Sequence, residues 1–296
     1  MNLLWSLEAM RTPFWDAFFG LITQLGEELV LILIFCTIFW CINKRMAYVL
    51  GASFFVSGLA VQGMKPVFRV PRPWVYDPSF MPVEGSVGAA TGYAFPSGHT
   101  QNGVALFGSL GAQIKNKAIK IILFTIVALI AFSRLYLGVH YLADVLVSLA
   151  IGIAAIWLAL KFITEEPVCK KRELIIAGTI AFIALVVIGI VIALYYGGAT
   201  TAFQMRDSVI AAGAALGFAV GMFVERNYIK FSVKAQNLPI QFLKIILGVA
   251  GVVAIQEGVR IFGSTLFVDG VRYFLMVIWI TMAFPFIIKK FFTKRA

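Results

Sequence analysis

Apolar residues recur along this chain in long runs, separated by short polar and often basic connections. The run Leu174–Leu194 holds 21 residues without a charge, enough helix to cross about 30 Å of hydrocarbon. Sliding along the runs predicts nine spanning helices, at about 22–42, 46–64, 98–114, 119–136, 141–162, 174–196, 208–224, 240–261 and 271–288. The expected fold class is therefore an all-α integral membrane protein. Ahead of the runs, Met1–Gly20 carries Trp5, Phe14, Trp15, Phe18 and Phe19 among polar positions and reads as an amphipathic segment lying in the interface. Glu8, Asp16, the lack of a basic leading stretch and the lack of a small-residue cleavage pattern argue against a secretory signal peptide there. One connection breaks the rhythm. Lys65–Phe95 contains Pro66, Pro71, Pro73, Pro78, Pro82, Gly85, Gly88 and Gly92, so it is no spanning helix. A loop that long in a compact fold is expected to be functional, as a lid or a substrate gate.

Composition agrees with the pattern. Hydrophobic residues make up 61% of the chain and charged residues 13%, against roughly 25% charged in soluble domains. The net charge of +11 does not imply nucleic-acid binding, because the basic residues are dispersed in short clusters between apolar runs. Cys36, Cys41 and Cys169 have neither metal-ligand nor disulfide spacing.

The clusters also set an orientation. Lys44 and Arg45, then Lys115, Lys117 and Lys120, then Lys161, Lys170, Lys171 and Arg172, then Arg226, Lys230, Lys234 and Lys244, then Lys289, Lys290, Lys294 and Arg295 fall on alternate connections. These are 17 of the 25 Lys and Arg residues; Arg11, Lys65, Arg69, Arg72, Arg134, Arg206, Arg260 and Arg272 face the other side. The positive-inside rule then puts the N-terminus outside and the C-terminus in the cytoplasm.

Three segments carry candidate chemistry, and all fall on the expected outer side. Lys65 and Arg72 flank the end of the second run; arginine offers a planar fork to phosphate oxygens and lysine a point charge. Both also suit an interfacial position with the charge snorkelling to water. In Tyr93-Ala94-Phe95-Pro96-Ser97-Gly98-His99-Thr100 a Pro-Ser-Gly turn feeds an apolar helical run. Such a start presents free N–H groups and the positive dipole end to an anion. Gly98 permits close approach, and Ser97 either caps the helix or donates to phosphate, or both. In Ser133–Asp144, a helix beginning near His140 would put Asp144 one turn later on the same face. A carboxylate there can take the Nδ1 proton of His140 and leave Nε2 free to attack; a plain capping charge is the alternative. Asp144 is the only acid between Glu84 and Glu165, and an isolated intramembrane carboxylate needs a partner. His99 and His140 are the only two histidines in the chain.

Lys65-x6-Arg72-Pro73, Pro96-Ser97-Gly98-His99 and Ser133-Arg134-x5-His140-x3-Asp144 together resemble the three motifs of the type 2 phosphatidic acid phosphatase superfamily, in order and without substitution. That superfamily holds lipid phosphate phosphatases, undecaprenyl pyrophosphate phosphatases, sphingosine-1-phosphate phosphatases, glucose-6-phosphatases and vanadium haloperoxidases. The resemblance covers roughly residues 20–163, and a nine-helix plan is most similar to the sphingosine-phosphate and glucose-6-phosphatase members. It implies an interfacial segment at 1–20, a membrane phosphatase core at 21–163 and additional C-terminal helices at 164–296. It further implies that His140 attacks phosphorus and forms a phosphohistidine, that Asp144 orients it, and that His99 protonates the leaving oxygen and then activates water. Lys65, Arg72, Ser97, Gly98 and Arg134 would hold the phosphate oxygens, with no cofactor and no metal, the three cations standing where a divalent ion would.

The expected substrate is a lipid phosphate or pyrophosphate, among them undecaprenyl pyrophosphate and sphingoid or phosphatidyl phosphates, met among membrane lipids at the extracytoplasmic or lumenal face of a plasma or endoplasmic reticulum membrane. A soluble sugar phosphate is the alternative substrate. A lipid-phosphate transporter or flippase would not need the His140–Asp144 pair, and a phosphoalcohol transferase of the sphingomyelin-synthase kind typically lacks the Lys-x6-Arg-Pro element. Outside the motifs, Gly213, Gly217 and Gly221 form a small-residue face suited to helix packing, within the chain or across a dimer. Glu257 and Arg260 read as an i,i+3 pair or a headgroup contact, with Gln256, Asp269 and Arg272 nearby, and Glu27 and Glu28 carry the same ambiguity. No role transfers to Arg69.

Overall fold

The computed structural model describes residues 1–88, 90–165, 168–235 and 237–292, so Lys294 and Arg295 of the last basic cluster lie outside the described residues. All regular structure is helical, with no β-strand among the described residues. In chain order the helices are α1 (Asn2–Ala9), α2 (Pro13–Gln24), α3 (Glu28–Ile42), α4 (Lys44–Phe68) and the single turn α5 (Pro73–Tyr76). There follow α6 (Gly98–Gly103, continuing through Val104–Gly108 into Ser109–Gln113), α7 (Lys117–Tyr136), α8 (Leu142–Phe162), α9 (Lys170–Tyr196), α10 (Ala202–Ile229), α11 (Leu238–Arg260) and α12 (Leu266–Phe292).

The nine apolar runs all fall on helices, but not all are continuous spans. Among the described residues seven helices are long and apolar enough to cross a membrane, and the pair α2–α3 makes eight if counted as one broken span. α6 is shorter, because it starts at the Ser97 turn and its middle is enclosed by neighbours, with Val104, Ala105 and Leu106 buried. The segment 1–20 is also not one element. Thr12 accepts the Trp15 N–H and Pro13 opens a new helix, which runs past residue 20 to Gln24. α2 then meets α3 at a 45° bend. In α1, Leu4 and Leu7 are buried against Phe80 of the long loop, while Leu3 and Trp5 stay exposed.

α4 is the central helix. It packs on α6 and α8 of the motif-bearing half and on α9 and α10 of the C-terminal half, so one apolar core runs through both. Asn43, Asn116, Thr201, Asn237 and Thr265 cap their helices with side-chain oxygens, which fixes the short connections. Gly213, Gly217 and Gly221 face α12, where an added Cβ would run into Gly270, Phe274 and Thr281. The small-residue face therefore serves packing within the chain. At the end opposite the motifs, Lys44 pairs with Glu225 at 2.9 Å and Arg226 with Glu173 at 2.9 Å, so two of the clustered cations are neutralised locally.

The described residues of the loop 69–97 are tied to the motif-bearing end by backbone contacts. Arg69, with φ 51°, closes α4 by donating its N–H to the Lys65 carbonyl, and its guanidinium reaches the Ala199 carbonyl at 3.3 Å. Val83 N–H meets the Leu137 carbonyl at 3.1 Å and Ala94 N–H the Val70 carbonyl at 2.9 Å.

Candidate active site

Lys65, Arg72, Gly98, His99, Arg134 and His140 line one cavity of about 390 Å³. Each is brought there by a local device. The Arg69 helix stop leaves Lys65 in the last full turn of α4, buried, and turns the chain so that Arg72 can fold back over the site. Arg72 is held by carbonyls: Nη2 donates to Thr91 at 2.7 Å, Nη1 to Val139 at 2.8 Å and Nε to Gly92 at 3.2 Å. The same Nη1 lies 2.9 Å from His140 Nε2.

His140 sits in the turn before α8, not on it. The helix starts at Leu142 because the Asp144 carboxylate turns back to accept the Tyr141 N–H at 2.9 Å. The same oxygen, Oδ2, lies 3.1 Å from His140 Nδ1. One-turn spacing therefore brings the pair together across a helix cap, and one carboxylate oxygen makes both contacts. Gly138, with φ 74°, makes the preceding turn; a Cβ there would meet Phe80 at 2.8 Å and Arg11 Nη2 at 2.7 Å. A guanidinium only donates, so Nε2 of His140 is the accepting nitrogen and its proton sits on Nδ1, facing the acceptor-only carboxylate. Burial, and then the positive charges of Arg72, Arg134 and Lys65, hold this imidazole well below the ordinary histidine range. The ring is a neutral, accepting base whose Nε2 lone pair is engaged by Arg72 at the cavity wall.

Arg134, near the end of α7, is 1% exposed. One nitrogen donates to Thr23 Oγ1, while Nε and Nη2 are buried without a hydrogen-bond partner. Buried donors left unpaired are costly and call for a ligand. Gly98 lies against the other cations: a Cβ built on it would stand 4.0 Å from Lys65 Nζ and 3.9 Å from Gln62 Nε2. Ser97 and Asp144 stand behind the cavity wall. Ser97 is fully buried and caps α6, accepting the Thr100 N–H at 3.4 Å and hydroxyl at 3.0 Å, while its own N–H meets the Asp144 carbonyl at 3.2 Å. That last bond ties the second motif to the third. The cap foreseen for the Ser97 hydroxyl is formed, with its oxygen as acceptor.

The residues flagged outside the motifs divide. Glu27 and Glu28 line the same cavity, with Glu27 Oε1 2.9 Å from His99 Nε2. Glu257 and Arg260 form an exposed pair at 3.8 Å away from it. Asp269 joins Arg206 at 2.7 Å and Arg272 at 2.6 Å beside a separate cleft between α9, α10, α11 and α12. Asp207 also lines the active cavity, accepting the Thr91 hydroxyl at 2.8 Å, and nothing in the motif spacing pointed to it. Among the described residues no three His, Cys, Asp or Glu side chains converge as metal ligands.

Away from the cations the cavity turns apolar. It runs between α3, α4, α10 and α12 past Ile32, Phe35, Phe55, Leu59, Ala214 and Met276. From Gln62 down to Leu50 the α4 wall alone extends about 18 Å at the helical rise. Leu29 of α3, which also lines the cavity, is 67% exposed. Two of the four walls belong to the C-terminal half, for which the sequence offered no motif.

Comparison with known proteins follows the same division. Residues 46–167 match the family model of the PAP2 superfamily, and residues 209–296 match the model described as PAP2 superfamily phosphatase, transmembrane extension. Lipid A 4'-phosphatase of Porphyromonas gingivalis is 28% identical over 160 residues, 51% of this chain and 67% of that one. Lipid phosphate phosphatase delta of Arabidopsis thaliana is 29% identical over 154 residues, 46% of this chain and 36% of that one. The chain thus spans about two thirds of the first relative and about a third of the second. The crystal structure of Aquifex aeolicus LpxE superposes with a TM-score of 0.47 at 29% identity, covering 54% of this chain and 94% of that one. With family models matching both of its halves, the chain belongs to the PAP2 superfamily, as a membrane phosphatase that carries the superfamily's transmembrane extension.

Proposed function

We propose that the protein hydrolyses a lipid phosphate or lipid pyrophosphate through a phosphohistidine on His140, without a metal, at the extracytoplasmic face of the membrane. The observation that carries the substrate class is the single cavity that begins among Lys65, Arg72, Arg134 and two histidines and continues into an apolar chamber between helices. A phosphate head with an alkyl or prenyl tail matches both ends. A soluble sugar phosphate would leave the apolar end empty, and a transporter would have no use for a histidine oriented by a buried carboxylate.

Lys65, Arg72 and Arg134 hold the phosphoryl oxygens, with the Gly98 backbone at the α6 N-terminus as a further donor and Ser97 fixing that turn. Phosphoryl transfer mainly needs such positioning and charge stabilisation. As Arg72 Nη1 passes its hydrogen bond from the ring to a phosphoryl oxygen, the Nε2 lone pair of His140 attacks phosphorus and the bond to the leaving oxygen breaks. Asp144 stabilises the positive charge that develops on the ring. His99 gives its proton to the leaving oxygen, then removes one from the water that cleaves the phosphorus–nitrogen bond. Charge asymmetry supports the outer orientation, since placing this site in the cytoplasm would reverse every basic cluster. The printed names of the relatives favour a lipid, and the first of them adds a lipid A phosphate to the undecaprenyl, sphingoid and phosphatidyl phosphates as a candidate.

The test is phosphate release by the purified protein from a panel of these lipids and glucose 6-phosphate, with chelator and with vanadate. Turnover of at least one lipid, retained in chelator and blocked by vanadate, is expected. Turnover of the sugar phosphate alone, or a requirement for added divalent metal, contradicts the proposal.

A further inference from the structure

Glu27 lies 19 residues before the part of the chain that matches the phosphatase family model at 46–167, yet its carboxylate is 2.9 Å from His99. It arrives there by the break between α2 and α3. Three side chains from motif-bearing helices grip that bend. Arg134 donates to the Thr23 hydroxyl, Asn102 Nδ2 donates to the Gly26 carbonyl at 2.9 Å, and His99 Nε2 meets Glu27 Oε1. Gly26 lets the strands of contact close up: a Cβ there would stand 3.0 Å from the His99 carbonyl and 3.2 Å from Ile130. The site thus contains two carboxylate–histidine pairs of opposite sense. Asp144 takes Nδ1 of His140 and leaves Nε2 to Arg72, whereas Glu27 takes Nε2 of His99 and leaves Nδ1.

We infer that Glu27 is the positioning residue of the acid–base histidine, fixing the tautomer of His99 and stabilising its imidazolium so that Nδ1 delivers the proton to the leaving oxygen. The inference rests on the reading of His99 as that acid–base group. In the first step the imidazolium loses its Nδ1 proton to the leaving oxygen as the phosphorus–oxygen bond breaks, and the ring becomes neutral with its proton on Nε2, facing Glu27. In the second step Nδ1 takes a proton from water as the new phosphorus–oxygen bond forms and the phosphorus–nitrogen bond to His140 breaks. A carboxylate accepts only, so Glu27 favours the charged ring before the first step and returns it after the second. The broken first helix is the device that supplies this carboxylate from outside the matched region.

A general acid matters when the leaving group is a poor one and is dispensable when it is good. The experiment compares kcat/KM of wild type, Glu27→Gln, His99→Ala and the double variant on a long-chain alkyl phosphate and on a nitrophenyl phosphate bearing a similar alkyl tail. This constant covers steps only through departure of the leaving group, so the water step does not enter. Glu27→Gln is expected to lose on the order of 10²-fold on the alkyl substrate and less than about tenfold on the aryl one. Adding it to His99→Ala is expected to change nothing further, as for groups acting as one unit. Equal losses on both substrates, as a merely structural role or a misfolded variant would give, overturn the inference, and so does an unchanged alkyl rate. If His99→Ala itself shows no leaving-group dependence, the assignment of His99 falls and Glu27 falls with it. If His99→Ala shows the dependence and Glu27→Gln does not, only the role of Glu27 is refuted.

Discussion

Replacing Arg134 by methionine keeps the length of the side chain and removes its charge and donors. Nε and Nη2 are buried with no hydrogen-bond partner in the protein, and Thr23 receives a hydrogen bond from this guanidinium's remaining nitrogen. Losing the bond to Thr23 costs about 1 kcal/mol, offset by no longer burying a guanidinium that a single protein group hydrogen-bonds. The ligand-free variant should therefore be about as stable as wild type. Binding of a phosphate-like anion moves the other way. Two charge-assisted hydrogen bonds at about 1.5–3 kcal/mol each amount to about 3–6 kcal/mol, which is roughly 10²–10⁴-fold in affinity. Vanadate titration of the purified protein, read by thermal stabilisation, measures both quantities on one sample. The expected result is an unchanged melting temperature without ligand, and a vanadate dissociation constant higher by at least about a hundredfold. A variant that melts well below wild type yet binds vanadate as tightly would show that Arg134 is structural, and would refute the reasoning from its unpaired nitrogens.

Asp144→Asn should keep the α8 cap, since an amide oxygen can still accept the Tyr141 N–H, but lower kcat on the order of 10³–10⁴-fold by losing the charge that stabilises the His140 ring; steady-state phosphate release checks it. His140 is held below the ordinary histidine range by burial first and Arg72 second, so its neutral form persists as pH falls and the acid limb of kcat/KM due to it should lie below about 6.5. Arg72→Ala removes the nearest positive charge and should move that limb upward; a limb that stays or moves down contradicts the account. Gly58→Leu should fill the apolar chamber, because a Cβ at 58 meets nothing nearer than Gln101 at 3.8 Å. The ratio of long-chain to short-chain kcat/KM should then fall on the order of tenfold or more, and an unchanged ratio would place the tail elsewhere.

The sequence made the helices and the motif pairs legible for a simple reason: apolar runs and fixed short spacings are local. His140 and Asp144 are one helical turn apart in number, so their contact survives even though α8 begins only at Leu142. What was hidden depends on contacts between distant segments. The partner of His99 lies 72 positions away, and the hydropathy of 22–42 reads as one run because the long apolar stretch after the bend outweighs Gln24, Glu27 and Glu28 beside it. Ser97 could cap or contact phosphate, and only the packing of Thr100 against it shows the cap formed. The apolar chamber was equally invisible, since its walls are single residues from four helices and two of those carry no motif. The small residues of the C-terminal half gave a hint, because Gly213 and Gly217 let α10 and α12 close on each other to build that side.

The central claim is that phosphate passes through His140. The most direct measurement is to mix the enzyme with a substrate carrying radiolabelled phosphate, quench with alkali within the first turnovers, and map the label. The account predicts transient label on the peptide containing His140, stable in alkali and lost in acid, accumulating in His99→Ala on the aryl substrate and absent in His140→Ala. Full phosphate release with no label on the protein, or label unchanged in His140→Ala, would contradict it.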